Sequence, residues 1–434
     1  MIKSFPYRYR IHALLFFLML ITYLDRVCIS LVGVRIKSAF NLNNEQFGWA
    51  LGAFALAYAL FEIPAGILGD RIGQRASLIR IVLWWSLFTA LTGLTMGLTT
   101  LVITRFLFGM GEAGAFPNST GTISRWFPKS ETCRGVSFLF AGVSAGAGLA
   151  PLIIIPLASA FGWRTPFFVI GVIGLVWVLV CYRWFRNNPS EMKNISPEER
   201  TLIENNRRFT NHRQPLQWKK IFKIKTIWAM VISFFCSQWA LYFFVAWMPV
   251  YLQEGRHFTE NQMKFTTSFL FTVGIISALL TGWLGDLLVK KKGLKFTRRT
   301  IGTFALCIVG VLFFLSAQTT NNSLVVVYLV TAYFCLWPFS VTAFSTCVDI
   351  GGDSAGTIAG VMNFSGQAGA LFLALIFGKI VDNTHNFNAP LYVVTAVLIT
   401  GGLAWLAIDP ETKIELIETE PVLSSHGKIN YSES

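Results

Sequence analysis

Charged residues punctuate this chain at intervals. Stretches free of Asp, Glu, Lys and Arg cover 11–24, 46–61, 81–104, 113–124, 135–163, 165–182, 226–253, 265–285, 300–348, 354–378 and 383–408. A helix that crosses a bilayer takes about 20 residues at about 1.5 Å each. The run 300–348 therefore holds two crossings, divided at the polar Gln318-Thr-Thr-Asn-Asn-Ser323. Gly97-Leu-Thr-Thr100 divides the stretch 81–123 in the same way. The pattern predicts an all-α membrane protein of twelve transmembrane helices. They lie at 11–33, 47–69, 78–98, 100–123, 135–159, 164–185, 226–252, 265–288, 300–318, 323–346, 355–380 and 388–408.

Composition narrows the class. Of 434 residues, 54% are hydrophobic and only 13% charged, where soluble chains carry roughly 25% charged residues. A water-soluble exterior must be largely polar, so a soluble enzyme, a disordered chain and a disulfide-stapled secreted domain are excluded. The net charge of +14 does not point to nucleic acid, because the basic residues sit in short clusters between apolar runs. Such clusters mark cytoplasmic membrane loops. With both termini placed inside the cell, 28 of the 36 Lys and Arg fall on the cytoplasmic side, 6 outside and 2 within helices. Both termini are accordingly predicted cytoplasmic. The seven cysteines show no CxxC spacing, so no metal site, cofactor site or disulfide framework is expected. No cleavable signal peptide is expected either, since the first apolar run continues past Asp25 and Arg26 to about Val34.

Residues 186–225 form the one long polar stretch and separate six predicted helices from six. Within it Ser196-Pro197-Glu198-Glu199 reads as a capping box that starts a short surface helix. The expected organisation is an N-terminal six-helix half (1–185), a cytoplasmic linker (186–225), a C-terminal half (226–408) and a cytoplasmic tail (409–434). The halves repeat a motif. Gly66-Ile-Leu-Gly-Asp70-Arg71-Ile-Gly73-Gln-Arg75 follows the second helix and Gly282-Trp-Leu-Gly-Asp286 follows the eighth, as in transporters built by duplication.

Several segments together resemble one family. Gly66-x-Leu68-x-Asp70-Arg71-x-Gly73-x-Arg75 is similar to the helix 2–3 loop signature of the major facilitator superfamily. Arg105-Phe-Leu-Phe-Gly109-Met-Gly111-Glu112-Ala-Gly114-Ala-Phe-Pro117 resembles the helix 4 signature of its anion:cation symporter family, which includes sialin-like, sugar-acid and phthalate-type carriers. Trp247-Met-Pro249-Val-Tyr251-Leu252, Asn188-Pro189-Ser-Glu191 and Met362-Asn363-x-x-Gly366-Gln367 fit the same family. The resemblance implies the twelve-helix major facilitator fold. It also implies gating contacts around Asp70, Arg71, Arg75 and Asp286, and a substrate pocket with Tyr23 and Tyr58 beside a helix 1 arginine.

Two other motifs mislead. Gly109-x-Gly111-x-x-Gly114 has dinucleotide-fingerprint spacing and Gly142-Val-Ser144-Ala-Gly146 that of a nucleophile elbow. Each lies inside an apolar helix without the strand that either motif needs. Close helix packing explains both, together with Gly148 on the fifth helix and Gly356, Gly360, Gly366 and Gly369 on the eleventh.

Asp25, Arg26, Arg105 and Glu112 carry the chemistry. Charges deep in hydrocarbon are costly, so they face a cavity and pair. Helical rise puts Glu112, Asp25, Arg26 and Arg105 roughly 17, 21, 23 and 27 Å from the cytoplasmic ends of their helices. Asp25 and Arg26 point about 100° apart, while Arg105 and Glu112, seven residues apart, share a helix face. Arg26 is expected to bind a carboxylate through its guanidinium fork. Glu62, roughly 10 Å deep, is expected to gate. In the C-terminal half, Gln238, Tyr242, Trp337, Ser340, Asn363 and Gln367 are the candidate pocket residues. None of the five histidines lies mid-membrane, so proton coupling falls to Asp25 and Glu112, with Arg105 as the partner of Asp25. Glu112 has no charged residue within four positions on its own helix and is expected to be the more easily protonated.

The function expected is secondary active transport of an organic carboxylate by a monomer, by alternating access and coupled to protons. The short segment between helices 1 and 2 places it in a bacterial inner membrane, with lipid as its surroundings. Rival readings are an organic anion exporter or exchanger of the same fold and a transport-dead carboxylate sensor. No metal cluster or nucleophile–base pair supports a membrane enzyme. The fifth helix offers only Ser137 and Ser144 around Gly142, where sugar-acid carriers of the family tend to place an amide, and that departure argues against a polyhydroxy acid.

Overall fold

The computed structural model describes residues 6–127, 132–192, 194–205, 224–351 and 355–412, without the side chains at 70, 124, 132–137, 204–205, 282–283, 286, 348, 351 and 355–357. The regular structure among these residues is helical throughout. The helices are α1 (Tyr7–Leu31), α2 (Gly33–Phe40), α3 (Asn44–Ile72), α4 (Gln74–Gly93), α5 (Leu98–Glu112), α6 (Ala115–Trp126), α7 (Thr132–Phe161) and α8 (Thr165–Trp184). There follow α9 (Pro197–Asn205), α10 (Lys225–Gly255), α11 (Glu260–Lys292), α12 (Leu294–Gln318), α13 (Asn322–Gly351), α14 (Ala355–Thr384) and α15 (Ala389–Trp405). Ten of the described helices are long and apolar enough to cross a membrane. Their outward faces are apolar as well: Ile67, Leu87, Ile103, Leu279 and Phe304 are all exposed. Such a surface fits lipid and not water.

The two remaining expected crossings differ from the prediction. The fourth is interrupted, with α5 ending at Glu112 and α6 starting at Ala115. Pro117 has no N–H to give the carbonyl of Ala113, four residues back, so the helix breaks there. The twelfth, α15, is only 17 residues long. The segment between the first two crossings holds a helix of its own, α2, not a plain loop.

α10 shows a related effect. It widens into π-helical turns at Phe243–Trp247 and Tyr251–Gly255. Pro249 cannot donate to the Val245 carbonyl, and Ser30 Oγ of α1 donates to that oxygen at 2.7 Å instead. The linker helix α9 starts as its sequence implies, with Glu199 N donating to Ser196 Oγ at 3.1 Å. The Glu199 carboxylate does not close the capping box. It accepts the N–H groups of Tyr7 and Arg8 at 3.0 Å, where a negative charge complements the start of α1.

Helix pairing repeats along the chain. α1 packs along α7, α3 along α5 and α4 along α8; α10 packs along α14, α11 along α13 and α12 along α15. Contacts of α3 with α14 and of α7 with α11 join the two sets. The glycine motifs serve this packing. A Cβ at Gly142 or Gly146 would strike the Phe16 or Leu20 carbonyl of α1, and one at Gly109 the Phe54 carbonyl of α3. Gly366 and Gly369 lie against Phe234 and Phe235 of α10, whereas Gly356 falls outside the described side chains. Gly146→Val should therefore lower the melting temperature by several degrees, through about 1–3 kcal/mol of overpacking. Gly360, expected to pack closely, has open space around it instead, so Gly360→Ala should melt no lower than the wild type. Equal melting of both variants in detergent would contradict this reading of the α1–α7 contact.

Candidate functional site

The two sets of helices enclose a cavity of about 140 Å³. α1 carries Tyr23 and Arg26 to its wall, α3 Phe54 and Tyr58, and α5 Arg105. Arg26 is 14% exposed and its Nε donates to Glu112 Oε1 in an ion pair, with Glu112 fully buried. The helix break places that acid at the C-terminal end of α5. Arg26 Nη1 also reaches the Tyr23 hydroxyl at 3.5 Å. Its guanidinium carbon lies 5.0, 5.1 and 4.7 Å from the ring centroids of Tyr23, Phe54 and Tyr58. Such faces hold a cation in place without neutralising it. Arg105 is buried and lies between the rings of Phe54 (5.2 Å) and Phe108 (4.4 Å).

Asp25 turns away from Arg26, as neighbouring helical positions do. It accepts a hydrogen bond from Thr89 Oγ1 of α4. The expected contact between Asp25 and Arg105 is not formed; no ion pair joins them among the described residues. The expected solitary acid, Glu112, is the paired one, because its partner comes from another helix. Asp25 and Glu112 thus stand behind the cavity wall, one on a neutral hydroxyl and one on a guanidinium.

All nine residues expected to bind substrate line this cavity: Tyr23, Arg26, Tyr58, Gln238, Tyr242, Trp337, Ser340, Asn363 and Gln367. Besides Arg26 and Tyr23, three have polar groups engaged. Tyr242 donates to the Leu51 carbonyl at 2.7 Å, Ser340 to the Leu336 carbonyl at 3.4 Å, and the Asn363 amide to Glu62 Oε1 at 2.7 Å. The last contact puts Glu62 on a bridge between α3 and α14. Sequence reasoning missed Thr89 and the aromatic lining, Phe54, Phe116, Phe140, Phe234, Tyr333 and Phe344. In a chain with 39 phenylalanines, a cavity-facing ring looks like a lipid-facing one.

Among the expected gating residues, the side chains of Asp70 and Asp286 lie outside the described residues and Arg71 is exposed. Arg75 donates to the Tyr182 carbonyl at 2.5 Å, and its backbone N–H to Asn187 Oδ1 at 2.8 Å. The first contact stays within the first set of helices, and the second reaches the start of the linker.

A second charged constellation joins the sets at the end opposite the linker. Arg35 of α2 grips Glu260 at the start of α11, with Nη2 at 2.7 and 2.8 Å from the two carboxylate oxygens. Lys37 pairs with Glu254 at the end of α10. Asp382 of α14 accepts from Asn44 N (3.1 Å), Asn44 Nδ2 (2.8 Å) and Glu45 N (2.7 Å) at the start of α3.

The family model of the Major Facilitator Superfamily matches residues 15–374. A probable sulfoacetate transporter of Cupriavidus necator is 31% identical over 399 residues, covering 90% of this chain and 91% of that protein. A probable L-galactonate transporter of Escherichia coli is 29% identical, with 91% and 87% covered. Among solved structures, a D-xylose-proton symporter aligns with a TM-score of 0.74 at 16% identity, covering 93% of this chain and 98% of that one.

Proposed function

Because this chain belongs to the major facilitator superfamily, among its organic-anion and sugar-acid transporters, it is a transporter and not an enzyme, and we propose that it takes up an organic carboxylate together with protons. The Arg26–Glu112 ion pair at the cavity wall carries this reading. A carboxylate and Glu112 compete for one guanidinium. A proton on Glu112 releases Arg26 to the substrate, and by linkage bound substrate favours the proton. Asp25 is the second acid in this scheme, held by Thr89 until a charged partner is free. The names of the relatives support an anionic substrate, since they carry sulfoacetate and galactonate.

The proposal includes twelve crossings, with the interrupted α5–α6 pair and α15 completing the ten long helices, and residues 1–185 and 226–408 as the moving halves of a monomer. The excess of Lys and Arg on the linker side supports cytoplasmic termini in a bacterial inner membrane. Asp70, Arg71, Arg75, Asp286 and Glu62 would close the linker side, and the Glu62–Asn363 bridge supports that role for Glu62.

Glu112→Gln removes the charge that competes for Arg26 and fixes the proton-loaded arrangement. In proteoliposomes, substrate counterflow should persist at near wild-type rate, while accumulation driven by an inward proton gradient should vanish. Uphill accumulation by Glu112→Gln would move the coupling site elsewhere, with Asp25 the next acid to replace.

A further inference from the structure

The two halves turn the same corner and finish it differently. Gly73, between α3 and α4, and Gly293, between α11 and α12, hold positive φ angles of 88° and 83°. At the first corner the linker fills the space. Asn187 Oδ1 accepts the N–H of Arg75 at 2.8 Å, and a Cβ on Gly73 would strike the Asn187 side chain at 2.6 Å. At the second corner a Cβ on Gly293 would meet nothing within 4 Å, and α12 starts without a side-chain cap. Lys295 stands two residues past its glycine, as Arg75 does. Its N–H has no acceptor among the described residues.

An open groove of about 500 Å³ lies at this corner, with Lys292, Lys295, Phe296, Arg299, Leu406 and Glu411 in its wall. Lys295 is neutralised by Asp409, with Nζ at 2.6 Å from Oδ2. The other two cations are not. Lys292 Nζ lies over the Phe296 ring at 5.3 Å. Arg299 uses Nε on the Ile408 carbonyl at 2.6 Å, and its Nη atoms have no protein acceptor among the described residues. Lys290 and Lys291 precede them, both exposed. Against these stands Glu411, the one acid in the wall. The groove therefore attracts an anion.

The position of the groove selects the kind of anion. Asp409 N donates to Thr226 Oγ1 at the start of α10 at 3.1 Å, which sets the groove on the linker side. Phe296 and Leu406 are exposed in its wall, and exposed Phe304 and Leu403 continue the apolar surface along α12 and α15. A small free anion would meet the cations and leave those apolar side chains bare. A phospholipid meets both. We propose that this groove binds the headgroup of an anionic phospholipid from the linker-side leaflet. Lys292 and Arg299 hold the phosphate, and an acyl chain follows Phe296 and Leu406. The Lys295 N–H donates to a phosphate oxygen, as the Arg75 N–H donates to Asn187 in the other half. The lipid thus ties the α11–α12 corner to α15, where Asn187 ties the α3–α4 corner to the linker.

Native mass spectrometry of the purified full-length protein resolves each bound lipid as a mass step. The first phosphatidylglycerol should bind about tenfold or more tightly than the first phosphatidylcholine. Equal affinities would overturn the proposal. Lys292→Ala should weaken the first phosphatidylglycerol about fivefold, and Lys292→Ala/Arg299→Ala about thirtyfold. Lys292 is exposed, so the single variant keeps the test decisive even if the double variant folds poorly. Arg183→Ala, at an exposed position at the linker-side end of α8, should leave the affinity unchanged. An equal loss in Arg183→Ala would reduce the effect to general charge attraction and remove the site. A thermal shift in detergent separates lipid from free anion: phosphatidylglycerol should raise the melting temperature of the wild type, and inorganic phosphate should not. Equal stabilisation by inorganic phosphate would make the groove a free-anion site and overturn the lipid assignment.

Discussion

Arg26→Ala should abolish substrate binding, and it should also destabilise the protein unless Glu112 is changed with it. The two effects have separate causes. Losing a charge-assisted, forked contact to a carboxylate costs about 2–5 kcal/mol, which is about thirtyfold to several thousandfold in affinity. Independently, Glu112 is fully buried and its charged partner is Arg26, so the single variant strands a carboxylate in the membrane interior. Breaking a buried pair from one side costs about 3–5 kcal/mol, whereas replacing both members is often neutral. The double variant Arg26→Ala/Glu112→Gln should therefore recover most of the lost melting temperature and none of the binding. Arg26→Lys should keep the pair with Glu112 but lose the planar fork and its stacking on Tyr23, Phe54 and Tyr58. It should melt near wild type and still fail to bind. Wild-type affinity in either folded Arg26 variant would remove Arg26 from the substrate site.

What the sequence disclosed follows from contrast. Arg26, Gln238, Asn363 and Gln367 stand out because each interrupts an apolar helix, and all of them reach one cavity. The break in the fourth crossing was also written locally, in Gly114 and Pro117, yet the hydropathy pattern alone ran straight through it. Pairing was not legible. Whether Asp25 meets Arg105 or Thr89 depends on how α1, α4 and α5 approach one another, and Thr89 is 64 positions away. Aromatic residues carry no label either. Phe140 lines the cavity while Phe304 is 62% exposed on the outer surface, although both sit in equally apolar surroundings. Arg35, Lys37, Glu254, Glu260 and Asp382 read as loop charges because their partners are more than 200 positions distant.

Those five residues support the second large effect. Among the described residues, one helix cap and two ion pairs join the two sets of helices at the end opposite the linker, and their contributions are unequal. The Arg35–Glu260 side chains are 32% and 29% exposed, so water and salt screen that pair to roughly 0–1 kcal/mol. Asp382 is a stronger element. It accepts three hydrogen bonds at the first turn of α3, where a carboxylate faces the positive end of the helix, worth up to about 2 kcal/mol in a partly buried setting. It also ties α14 to α3, one of the two seams between the helix sets. Asp382→Ala should shift the closed-to-open ratio at this end about tenfold, since about 1.4 kcal/mol is a factor of ten. Glu260→Gln should shift it by less than about fivefold, an effect that 1 M salt reproduces in the wild-type protein. A single cysteine at Ala246, a buried cavity position on α10, reports the change in a background whose native thiols are replaced. An impermeant thiol reagent applied from the side opposite the linker should label it faster in Asp382→Ala. Labelling from the linker side should slow in parallel, because the two openings alternate. Unchanged labelling from both sides would show that the Asp382 cap only joins the helices and does not set the balance between the two states.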